Sequence, residues 1–159
     1  MRFEDSGVSR DLDDAEASVV TNLLGPIRMT DALIGHLRQQ RDAAIINVTS
    51  GLAFVPLVST PTYSATKAAL HSYTVALREQ LRGKVEVIEL APPAVQTDLT
   101  PGQSTRDGYM PLEAFADEAF ALLQQTPTPP EVLVNRVKFL RDAEAEGRFA
   151  AALAAVNDH

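Results

Sequence analysis

Ala43-Ala44-Ile45-Ile46-Asn47-Val48-Thr49-Ser50-Gly51 and, ten residues on, Pro61-Thr62-Tyr63-Ser64-Ala65-Thr66-Lys67-Ala68-Ala69-Leu70 read as a strand followed by a helix. The run 43–49 is short, apolar and rich in β-branched residues, the pattern of a buried strand. Pro61 cannot continue an earlier helix, and Ala, Leu and Lys follow it, so a helix covers about 62–82, with Gly83 as its stop. From Ala65 to Leu77 only Lys67 and His71 can carry a positive charge, and no residue is acidic. A helix apolar nearly all round is expected to be covered on two sides, by its own sheet and by a partner subunit. Val85-Glu86-Val87-Ile88-Glu89-Leu90 is a second strand. Strands alternating with helices predict an α/β fold built on a parallel sheet.

Upstream, residues 1–10 read as a loop and Asp11 as an N-cap, with Asp13, Asp14 and Glu16 placing negative charge in the first turn. Val19, Val20, Leu23, Leu24, Ile27, Leu33, Ile34 and Leu37 recur at helical spacing, which predicts one long helix over about 12–39. Pro26 lies in its middle and has no N–H to bond back to the Asn22 carbonyl. A kink and a free acceptor at Asn22 are expected there. Downstream of the second strand come a loop at 91–97 and a segment at 98–110, which its proline and glycines suggest is mobile. A helix over 111–125 follows, with a Pro-rich break at 126–130, a brief strand at 131–134 and a charged helix over about 136–156.

The 159 residues suffice for one domain, 1–159, with a proper core, and 45% of them are hydrophobic. A net charge of −7, with Lys and Arg scattered, argues against nucleic acid or anionic membranes as partners. The chain has no cysteine, so thiolate chemistry is excluded. The N-terminus has no signal-peptide core and no run reaches membrane-spanning length, so a cytoplasmic location is expected. His36, His71 and His159 are far apart in sequence and make no metal-ligand motif, so no metal site is expected.

Within the helix at 62–82, Tyr63 and Lys67 stand four apart and share one face. A free phenol has a pKa of about 10. A fixed ammonium and the helix dipole would both lower it, making an acid/base group. The spacing alone occurs in many helices, so its context decides. Ser50 ends the first strand and Tyr63 begins the next helix, the place where open parallel sheets gather ligands. Ser64-Ala65-Thr66-Lys67 also fits Ser-x-x-Lys, but the Ser-Asp-Asn and Lys-Thr-Gly motifs that acyl-transfer chemistry needs are missing.

Ile46-Asn47-Val48-Thr49-Ser50, then Tyr63-Ser64-Ala65-Thr66-Lys67 with Ser and Tyr thirteen residues apart, resembles the active-site pattern of the short-chain dehydrogenase/reductase family. Thr21-Asn22-Leu23-Leu24-Gly25 resembles its helical Asn motif. Ala91-Pro92-Pro93-Ala94-Val95-Gln96-Thr97 resembles the loop that touches the nicotinamide, with Pro93 in place of the usual Gly. The resemblance implies NAD(P)-dependent hydride transfer between a small-molecule alcohol and a carbonyl compound. Asn22, Ser50, Tyr63 and Lys67 would form the catalytic set. Tyr63 would be the acid/base, Ser50 would orient the substrate oxygen, and Lys67 would lower the Tyr63 pKa and hold the cofactor ribose. Asn22 would hold a water that links Lys67 to solvent. Tyr63, Lys67, Pro93, Val95 and Thr97 would contact NAD or NADP.

The family also carries a Gly-rich strand–turn–helix that cradles the pyrophosphate. None of the eight glycines here stands in that arrangement. The expectation is therefore a partial Rossmann-like (doubly wound parallel sheet) fold lacking its first strands, resembling the C-terminal part of the family. Its strand at 43–49 would be left as a sheet edge. A homo-oligomer through helices 12–39 and 62–82 is expected to cover the exposed surface. The competing expectation is a truncated, non-catalytic member acting as an interaction module. Phe54, Val55, Leu57, Leu99, Tyr109 and Met110 suggest an apolar substrate.

Overall fold

The computed structural model describes residues 12–158; the loop at 1–10, the N-cap at Asp11 and His159 lie outside the described residues. Two helical segments, α1 (Asp13–Val19) and α2 (Gly25–Leu37), are joined through a π-turn at Val20–Leu24. Strand β1 (Ala44–Val48) leads through a 3₁₀ turn at Gly51–Ala53 into α3 (Pro61–Gln80), and β2 (Glu86–Leu90) follows. Then come α4 (Leu112–Leu123), the short β3 (Glu131–Val132), α5 (Lys138–Arg141) and α6 (Phe149–Asn157).

The sheet is parallel, in the order β1-β2-β3, with Ala44 opposite Glu86, Val48 opposite Leu90, and Leu90 opposite Val132. Alternation along the strands sends side chains to opposite faces. On one face Ile45 and Val87 meet Leu77 of α3, Leu81 just after it, and Ile34 and Leu37 of α2. On the other, Ile88 and Leu90 meet α4 through Ala119 and Phe115, with Val95, Val132, Val134 and Val137 closing the cluster. This α/β architecture is the expected one.

Three expectations change in detail. The run 43–49 is a strand and an edge, but only half of it is buried: Ile46 is 45% and Val48 47% exposed. No helix among the described residues covers that face of β1, which a parallel sheet ordinarily requires. The single kinked helix over 12–39 is a helix–π-turn–helix, in which the Gly25 N–H reaches back five residues to the Val20 carbonyl. Pro26 sits at the start of α2, where its missing N–H is tolerated. The charged helix over 136–156 is broken into α5 and α6, because Gly147 takes φ 69° in the turn between them. Gly83, at φ 74°, lies in the turn after α3 as expected. No helix among the described residues is long and apolar enough to cross a membrane.

Candidate active site

The C-terminal end of β1 delivers Thr49 and Ser50, and the first turn of α3 delivers Tyr63. Ser50 is extended (φ −171°, ψ 156°) and caps the 3₁₀ turn, its Oγ accepting from the Leu52 N–H at 3.1 Å. The neighbouring Gly51 N–H donates to the Pro92 carbonyl at 2.9 Å. A Cβ at Gly51 would come within 2.9 Å of Leu140 Cδ1 and 3.0 Å of Val137 Cγ2, so a larger residue here would have to push those side-chain tips aside.

The Ser50 hydroxyl faces the Tyr63 phenol closely enough to influence its titration. Burial pushes the Tyr63 phenol above its ordinary value, and the Ser50 hydroxyl pulls in the opposite direction without overcoming it. The expected lowering by Lys67 is therefore corrected. Lys67 directs its Nζ to the Val48 carbonyl at 2.8 Å and lies 5.6 Å from the centroid of the Tyr63 ring. Burial also lowers the pKa of the Lys67 ammonium.

Asn22 stands in the π-turn, and its Nδ2 donates to Thr66 Oγ1 at 3.3 Å; Thr66 in turn donates to the Tyr63 carbonyl at 2.7 Å. Asn22 is thus tied to α3 at the residue preceding Lys67. Asn22, Ser50, Tyr63 and Lys67, scattered over 46 positions, are all carried to the junction of β1 and α3.

The loop at 91–97 is arranged differently. The Val95 side chain is in the core, and Val95 bridges to Met110. The Val95 carbonyl and the Thr97 hydroxyl accept from Gln103 Nε2 at 2.8 Å and 3.0 Å. The segment 98–110 is thereby anchored on this loop. Pro93 is partly exposed beside it. Of the six suggested lining residues, Val55 and Met110 are buried in the core, which removes them from a substrate surface, while Leu99 is exposed and Phe54, Leu57 and Tyr109 are partly so. Ser64, the nucleophile of a Ser-x-x-Lys reading, is buried and back-bonded to the Thr60 carbonyl at 3.1 Å.

Sequence reasoning missed the polar groups beneath the site. Thr49 Oγ1 donates to Glu89 Oε1 at 2.6 Å, and His71 Nδ1 lies 2.7 Å from Glu89 Oε2. His71, Glu89 and Glu131 bring ligand atoms within 4.8 Å of one another, but both Glu89 oxygens are engaged and Glu131 is gripped by Arg141. Asn157 of α6 was missed too. Its side chain accepts from the Val58 N–H at 2.7 Å and donates to the Pro56 carbonyl at 3.2 Å, pinning the loop between Ser50 and Tyr63. No local signal marks them: Thr49 and Glu89 are ordinary strand residues until their side chains are seen beside His71.

The short chain dehydrogenase family model matches residues 6–108. The chain is 42% identical over 125 residues to the uncharacterized oxidoreductase DltE of Bacillus subtilis, an alignment covering 77% of this chain and 50% of that protein. A short chain dehydrogenase from Burkholderia cenocepacia, solved in complex with NADP, superposes with a TM-score of 0.78 at 26% identity, over 97% of this chain and 65% of that one. A short-chain dehydrogenase from Sphingobium yanoikuyae, solved with NADPH, shares the fold with a TM-score of 0.76 at 20% identity, over 95% of this chain and 61% of that one. The chain spans about half the length of the curated relatives it matches.

Proposed function

Because this chain belongs to the short chain dehydrogenase family, we propose that it carries, as one domain, the proton-transfer half of an NAD(P)-dependent oxidoreductase that interconverts an alcohol and a carbonyl compound. The observation that carries the reading is the hydroxyl pair of Ser50 and Tyr63, brought together at the C-terminal end of a parallel strand. Ser50 orients the substrate oxygen. Tyr63 passes the proton, and a phenol that burial holds protonated is suited to donating to the oxygen of a carbonyl being reduced.

The nicotinamide, when bound, supplies or takes the hydride. Of the residues present, Lys67 would offer its ammonium to a ribose and the partly exposed Pro93 would meet the nicotinamide end, while the Val95 carbonyl and Thr97 hydroxyl would have to exchange their Gln103 contacts for the cofactor. Asn22 steadies α3 beside Lys67 through Thr66. A glycine-rich phosphate cradle is not among these residues, so the pyrophosphate must be held by groups outside them.

A second reading is favoured by the bare β1 edge: a non-catalytic family member acting through its surface. Ile46 and Val48 on the strand, with Val19, Val20, Met29 and Leu33 on the helical arm, are exposed apolar side chains. Homo-oligomerisation through helices 12–39 and 62–82, and a cytoplasmic location, belong to either reading. Titration of the 159-residue chain with NAD(H) and NADP(H) separates the two. Saturable micromolar binding supports the oxidoreductase, and no binding at millimolar cofactor supports the surface module.

A further inference from the structure

Glu89 is 0% exposed, and the chemistry proposed above does not use it. It lies on β2, on the face turned to α3, opposite Asn47 in the parallel register. A carboxylate removed from water is costly unless donors match its oxygens. Here each oxygen has one: Thr49 Oγ1 at 2.6 Å and His71 Nδ1 at 2.7 Å. Both contacts are short, as charge-assisted hydrogen bonds are.

Each partner leads to the site. Thr49 immediately precedes Ser50, and its own N–H is held by the Leu90 carbonyl at 2.9 Å. His71 packs its ring edge-on to Phe54, centroids 5.0 Å apart. Phe54 also carries the Arg141 guanidinium, 4.9 Å from its ring centroid. Arg141 in turn grips Glu131 with contacts of 3.1–3.3 Å, and Glu131 faces Glu89 across the β2–β3 register. The second carboxylate near Glu89 is thus matched by its own cation, and Glu89 is left to Thr49 and His71.

We propose that Glu89, Thr49 and His71 form a positioning unit that holds the Ser50 hydroxyl within reach of Tyr63 and steadies the loop carrying Phe54, without touching substrate. The unit requires the His71 proton on Nδ1, so that Glu89 accepts from both partners. The inference rests on the roles given above to Ser50 and Tyr63.

The test uses the full chain and needs no turnover. The Leu52 N–H bonds to Ser50 Oγ, so its hydrogen exchange reports the placement of that hydroxyl. Thr49→Val exchanges the hydroxyl for a methyl and is expected to speed Leu52 exchange roughly tenfold, with exchange in α4 unchanged and Thr49→Ser restoring the wild-type rate. Imidazole ¹⁵N shifts are expected to place the His71 proton on Nδ1, and Glu89→Gln, which keeps the shape but removes the charge, to speed Leu52 exchange as Thr49→Val does. Leu52 exchange that is unchanged in Thr49→Val overturns the unit, as does a wild-type His71 proton on Nε2. If Glu89→Gln fails to fold, Thr49→Val with its Thr49→Ser rescue decides. Failure of the oxidoreductase reading would show separately, as absent cofactor binding with Leu52 exchange still responding to Thr49→Val.

Discussion

Lys67 Nζ donates to the Val48 carbonyl at 2.8 Å, joining the second turn of α3 to the C-terminal end of an edge strand nineteen residues earlier. The bond aims the ammonium past the face of the Tyr63 ring, and burial keeps both groups closer to neutral than they would be in water. A bound ribose would have to compete with a carbonyl for this ammonium. Lys67→Met is expected to weaken cofactor binding at least tenfold, and calorimetric titration against the wild-type chain checks it.

Tyr63 gives a pH dependence of definite sign. Its folded value is raised by burial above the unfolded value of about 10. Its contribution to stability is therefore fully present below pH 10 and is lost as pH rises through the folded value. Lys67 works oppositely: its folded value is lowered, so its penalty is present at neutral pH and fades as pH approaches about 10.4. Tyr63→Phe is expected to lose less stability than wild type between pH 9.5 and 11, read by thermal melts on the order of every half unit. The wild-type minus Tyr63→Phe absorbance titration should have its midpoint above about 10; a midpoint below that reverses the assigned direction.

If the chain turns over an alcohol or carbonyl compound, Tyr63→Phe is expected to reduce kcat by about 10²–10⁴ with cofactor binding nearly intact. Ser50→Ala should lower kcat by about 10²-fold through loss of one oriented donor. Steady-state kinetics alongside cofactor titration measure both, and unchanged turnover in Tyr63→Phe would remove it from its role.

Asn157 closes the loop at 56–58 from the last helix with two hydrogen bonds. Asn157→Ala is expected to cost about 1–2 kcal/mol, or roughly 2–8 °C in Tm, by differential scanning calorimetry. A Tm within 1 °C of wild type, on the order of experimental error, would mean that the loop holds its place without α6.

Ile46 projects from the uncovered face of the edge strand. Ile46→Lys is expected to leave stability within about 0.5 kcal/mol of wild type while reducing concentration-dependent association, since an edge charge blocks strand addition. Sedimentation velocity over a concentration series tests this, and a marked fall in Tm would show that Ile46 is packed rather than exposed.

The strand at 44–48, the helix from Pro61 and the strand at 86–90 were legible because hydrophobic period, proline and glycine act through the local backbone. Gly147 is a local signal too, set within a charged pattern that reads as continuous helix. The candidate site was legible for a different reason: Ser50, Tyr63, Lys67 and Asn22 sit in ordered motifs that resemble one family's. What sequence could not supply was the balance of fields at that site. Tyr63 and Lys67 are four residues apart in any helix, yet whether charge or burial sets the phenol depends on how many atoms surround it and where the ammonium points. Only the packing of α3 on the sheet decided that burial prevails. The same packing brought Thr49, His71 and Glu89 together from three elements, because residues forty apart meet only when strands align and helices cover them.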